Sequence, residues 1–104
     1  MSNWSTFNSG KTIGTVSDGV VTLYDEEHTS IARLTLKRNK DFVSVSLNIY
    51  GWMDHTRFFN SEHDAQREYR AMRTECVKVL GLIQSDASDI KIWDAISEFV
   101  RRFP

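Results

Sequence analysis

Between residues 31 and 50, apolar and polar positions alternate almost without a break. Ala32, Leu34 and Leu36 stand against Arg33, Thr35 and Lys37. Val43, Val45, Leu47 and Ile49 stand against Ser44, Ser46 and Asn48. A period of two marks strands with one buried and one wet face. The polar tetrapeptide Arg38-Asn39-Lys40-Asp41 joins them as a hairpin loop. Pairing Lys37 with Phe42 puts Leu36 by Val43, Leu34 by Val45 and Ala32 by Leu47 on one face. A slip of one residue would mix the faces, so the pattern supports this register.

Upstream, residues 12–16 and 20–24 flank Ser17-Asp18-Gly19. An Asp-Gly pair between β-branched runs predicts a hairpin, because glycine accepts the positive φ of such turns. The polar residues 25–30 predict a loop. Downstream, residues 55–60 predict a last strand after a turn at 51–54. With Asn48 opposite His55, Thr56 and Phe58 join the buried face, and His55, Arg57 and Phe59 join the open one. Residues 1–10 are polar apart from Trp4 and Phe7. They read as a loose lead-in, or as a short edge strand pinned by those two aromatics.

After residue 60 the apolar period lengthens to that of a helix. Ala65, Tyr69, Met72, Cys76, Val79 and Ile83 form one stripe over residues 61–84. Ser61 is the N-cap, and Glu62 and Asp64 complement the helix dipole. Gly81 offers an earlier end. A second helix over residues 89–103 carries Ile92, Trp93, Ile96, Phe99, Val100 and Phe103 on its apolar side. Strands first and helices last define an α+β fold. The expectation is one domain spanning residues 1–104: an antiparallel β-meander of about four to five strands, then two C-terminal helices packed on one sheet face.

Composition narrows the function classes. Thirteen Lys and Arg face fourteen Asp and Glu, a net charge of −1. Binding to duplex nucleic acid through phosphates calls for a basic excess, so nucleic acid is a disfavoured partner. No apolar run is long enough to span a bilayer. The single cysteine, Cys76, forms no intrachain disulfide, and no apolar signal region follows Met1. Both features lead to the expectation of a cytoplasmic location.

Catalytic and metal motifs are weak. Gly10-Lys11-Thr12 resembles the tail of a phosphate-binding loop, but Ser5 stands where a glycine is needed and a strand pattern follows. Asp54, His55, Glu62, His63 and Asp64 match no ligand spacing. Cys76 lies on the apolar stripe of its helix, where a thiol is inert. No cofactor or metal is expected. The basic flank His63, Arg67, Arg70 and Lys78 is interleaved with acids, as on an ordinary solvated helix.

The open sheet face holds the most informative group. In the register above, Arg33, Ser46 and Arg57 share a row, followed by Thr35, Ser44 and Phe59, with Ile31, Asn48 and His55 on the other side. Guanidiniums beside hydroxyls grip carboxylates or phosphates, and aromatics with arginine are typical of protein interfaces. The candidate binding set is therefore Arg33, Tyr50, His55, Arg57 and Phe59. The expected function is a non-catalytic protein-interaction or self-association module, with a homodimer as one form. The alternative is binding of single-stranded nucleic acid or a small anionic ligand on the same face, and an enzyme using His55 ranks last.

Overall fold

The computed structural model describes residues 3–104, so the first two residues of the lead-in lie outside the described residues. The architecture is α+β, an antiparallel sheet in meander order followed by one bent helix and a final helix. Strands β1 (Trp4–Thr6), β2 (Val16–Ser17), β3 (Val20–His28), β4 (Ala32–Arg38), β5 (Val43–Ile49) and β6 (Met53–Phe59) precede helices α1 (Glu62–Glu75), α2 (Val77–Gln84) and α3 (Asp89–Arg102). The sheet order is β1-β3-β4-β5-β6, and β2 adds to β3. No described helix is long and apolar enough to cross a membrane.

The alternating stretch behaves as its pattern demands. Ala32, Leu34 and Leu36 of β4 and Val43, Val45, Leu47 and Ile49 of β5 are buried beneath the helices. Ala65, Tyr69 and Met72 of α1 press onto β4, β5 and β6, while α2 and α3 pack against each other. Ser61 and Ser88 cap α1 and α3 through hydrogen bonds from the Asp64 and Lys91 amides. The long helix bends at Cys76, yet its hydrogen bonds run on from Met72 to Leu80, and Gly81 does not end it. Trp93 leaves the expected core face. It is 48% exposed and stacks edge-on against Trp52 of the β5–β6 turn.

Three turns differ from the sequence expectation. The polar run Asp25, Glu26 and Glu27 stays in β3, and only Thr29 and Ser30, both at positive φ, make the turn into β4. Each of these acids has a partner, Arg33, Arg73 and Tyr50 respectively, so their charge does not interrupt the strand. The expected strand over residues 12–16 shrinks to Val16–Ser17, although the Asp18-Gly19 hairpin forms with both residues at positive φ. Between β4 and β5 the Asn39 side chain accepts the Asp41 and Phe42 amides. That closes the loop over residues 39–42 and pairs Leu36 with Val45. The register moves by two residues, so every side chain keeps its face.

The turn into β6 has a larger consequence. Three residues suffice, with Gly51 at φ 80° and the Trp52 amide bonded to the Ile49 carbonyl. Leu47 therefore opposes His55, Val45 opposes Arg57 and Val43 opposes Phe59. This is one residue from the expected pairing, and it exchanges the faces of the whole strand. His55, Arg57 and Phe59 turn to the helix side, and Thr56 and Phe58 to the open side.

The exchange sets unequal costs for two neighbouring phenylalanines. Phe59 packs against the core and Phe58 is 64% exposed. Phe59→Ala should destabilise the fold by about 3 kcal/mol, and Phe58→Ala by less than about 1 kcal/mol. Urea unfolding of the two variants measures this, and the opposite ranking would mean that β6 is slipped.

Candidate functional site

The face of the sheet away from the helices carries three rows of side chains. Thr22, Lys37, Ser44 and Phe58 form one, and Asp25, Thr35, Ser46 and Thr56 the next. Glu27, Arg33, Asn48 and Asp54 form the third. A bulge between Thr22 and Tyr24 brings Thr22 and Asp25 to this same face although they are three residues apart. Leu23, between them, packs toward the core.

The β3–β4 half of the face is covered. β1 and β2 both pair with the outer edge of β3, and residues 7–15 between them cross the sheet as a strap. Asn8, Ser9 and Gly10 lie at positive φ in its first turn. The strap is fastened by four contacts. Thr12 donates its hydroxyl to Asp25 Oδ2 at 2.7 Å. The Phe7 ring lies 3.7 Å from the Arg33 guanidinium carbon. The Gly14 amide bonds the Thr22 carbonyl, and the Thr22 amide bonds the Thr15 carbonyl.

Asp25 is the centre of this half. Its side chain is fully buried, and Arg33 donates to it through Nε and Nη2 at 2.8 and 2.7 Å. Thr35 adds a hydroxyl at 3.3 Å. Burial works to raise the carboxyl pKa, but the hydrogen bonds from Arg33 and Thr12, the Arg33 charge and the Thr35 hydroxyl outweigh it. The carboxyl sits below its usual range. Arg33 is held above its own usual value, chiefly by the hydrogen bond to Asp25. Tyr50 donates to Glu27 at 2.9 Å. Burial, with that bond and charge, pushes its phenol up to about 12.

The β5–β6 half is bare. Ser46 and Thr56 share a hydrogen bond at 2.8 Å. At one end Phe42 and Phe58 meet edge to face with ring centroids 5.2 Å apart, 40% and 64% exposed.

The candidate residues from sequence are thus divided. Arg33 is on the open face and Tyr50 hydrogen-bonds Glu27 beside it, while His55, Arg57 and Phe59 face the helices. His55 Nε2 lies 2.6 Å from the Phe103 carbonyl, which only accepts, so this nitrogen carries the proton. Arg57 donates Nε to the Pro104 carbonyl and Nη1 to Glu68 Oε1, with the Phe59 and Phe103 rings against it. Together they clamp the end of α3 to β6. Sequence reasoning missed Asp25, Thr12, Phe7 and Phe58. An acid directly following the strand-like run of residues 20–24 was the one available signal for Asp25.

Reactive side chains elsewhere are occupied. Burial pushes the Cys76 thiol up to about 12. Tyr69 and Arg73 both bond Glu26, and burial and that carboxylate raise the Tyr69 phenol further. His28 is buried against Trp4, and burial together with the Arg73 charge holds it below the usual histidine range. Among the described residues no three of His, Cys, Asp and Glu come together as a metal-binding group. The basic flank of the long helix carries ordinary pairs, Arg67 with Asp64 and Glu68, and Lys78 with Glu75. Compared with family models, curated proteins and solved structures, the chain has no significant match.

Both lowered groups tie stability to pH in the same sense. A depressed folded-state pKa contributes stability above the unfolded-state pKa that is lost as the pH falls through the folded value. Urea midpoints measured across pH should therefore fall first below the histidine range, through His28, and again below the carboxylate range, through Asp25. Asp25→Asn should cost about 3 kcal/mol at neutral pH, because it leaves Arg33 without its counter-charge. It should also remove the more acidic step. A variant as stable as the parent would show that Asp25 does not hold the strap.

Proposed function

We propose that the protein is a non-catalytic interaction module that associates with a second copy of itself through the bare β5–β6 half of the sheet. The observation that carries this reading is the exposed Phe42–Phe58 pair on an uncovered, hydroxyl-lined sheet face. Aromatic anchors beside groups that both donate and accept hydrogen bonds are what protein interfaces concentrate. Charge favours a like copy over a charged partner. Lys37 and Asp54 balance across the rows, and the chain's net charge of −1 sets up little repulsion between copies. A polyanion such as nucleic acid finds no basic field there. The buried, unpaired Cys76 fits a reducing, cytoplasmic setting.

Light scattering over a concentration series tests the reading. The parent should move from monomer to dimer mass. The Phe42→Ala/Phe58→Ala pair should raise the dissociation constant at least about tenfold, as loss of two aromatic anchors does. A parent that stays monomeric throughout, or a dimer indifferent to both substitutions, would overturn it.

A further inference from the structure

Where the strap and the β2–β3 hairpin stand over β4 they leave a cleft of about 480 Å³. This is within the range of small-molecule sites, roughly 300–1,000 Å³. Thr12, Thr15, Ser17, Thr22, Arg33 and Lys37 line it. Arg33 is prepared for recognition. Asp25 holds two of its nitrogens from behind and Phe7 lies on its face, so little side-chain freedom remains to be lost on binding. Its Nη1 makes no hydrogen bond among the described residues. Lys37 lies four residues further along the same face of β4, about 13 Å away by strand rise. The Arg33 side chain leans toward it to reach Asp25 in the row between, and both side chains line the cleft. It is exposed and makes no ion pair among the described residues.

We infer that this cleft binds a small molecule through one oxyanion, a phosphate or carboxylate group, held between Arg33 and Lys37. Guanidinium and ammonium groups supply charge-assisted hydrogen bonds, the arginine with fixed direction and the lysine as a mobile point charge. The Ser17 and Thr22 hydroxyls both donate and accept toward the rest of the ligand, and the Thr12 and Thr15 hydroxyls, whose hydrogens go to Asp25 and to the Thr12 carbonyl, serve it as acceptors. The local charge limits the ligand class. Asp25 behind Arg33 and Asp18 among the lining residues balance the two cations. Geometry rather than a strong field therefore selects the ligand, which suits a single anionic group and not a polyanion. The cleft meets the row of Phe58 only at Lys37, and anion binding and dimer mass are read separately, so either reading can fail alone.

Amide NMR titration with inorganic phosphate and with citrate, each against sodium chloride at matched ionic strength, decides the matter. Saturable shifts are expected at the amides of Thr12, Thr15, Ser17, Thr22 and Lys37. Lys37→Gln, at an exposed position, should weaken binding about tenfold with the spectrum otherwise unchanged. Arg33→Lys keeps the charge against Asp25 and should weaken it as well. A stronger response to phosphate would assign a phosphate-bearing ligand, and to citrate a carboxylate-bearing one. The inference is overturned if neither probe produces saturable shifts beyond the chloride control, or if both variants bind like the parent.

Discussion

A carboxylate without access to water organises one whole half of this sheet. Asp25 is fully buried and tolerates ionisation only because Arg33, Thr12 and Thr35 point hydrogens at it. One donor comes from the strap and two from successive same-face positions of β4. Satisfying one charge therefore fastens residues 7–15 to the sheet, sets the plane of Arg33 and closes one side of the cleft. The bulge in β3 is part of the same arrangement, since it brings Thr22 to the face that Asp25 occupies.

The two faces of the sheet answer to different physics. The helix side is governed by area removed from water, with Leu34, Leu36, Leu47, Ile49 and Met72 essentially without exposure. Its polar members, Glu26 with Arg73 and Tyr69, and His55 and Arg57 with the last two carbonyls of the chain, pair at the margins of that core. The open side is governed by hydrogen bonding and charge. It divides into a strapped half with a preorganised arginine and a bare half with an aromatic pair. Both functional readings draw on this division.

Much of the fold was legible from residue pattern. Alternation in β4 and β5, the stripe from Ala65 to Val79 and the cap at Ser61 follow from local periodicity and local hydrogen bonding. The Asp18-Gly19 hairpin belongs with them. Of the residues expected to share the open face, Arg33 lies on it and Tyr50 hydrogen-bonds Glu27 beside it. His55, Arg57 and Phe59 were assigned to the wrong face because β6 alternates weakly, with Phe58 and Phe59 adjacent and a tryptophan and a methionine at the turn. Nothing local to that strand distinguishes its two registers.

The amino-acid order by itself determined the two central strands and their buried face, the helical segments and the succession of strands before helices. These depend on spacings of two to four residues, which a linear pattern records. The tertiary structure alone decided the face of β6, the partners of the acids in β3 and the course of the strap over Arg33. Those outcomes turn on whether the β5–β6 turn uses three residues or four, and on a charge meeting its donors from residues 8 to 47 positions away. No local periodicity encodes either one.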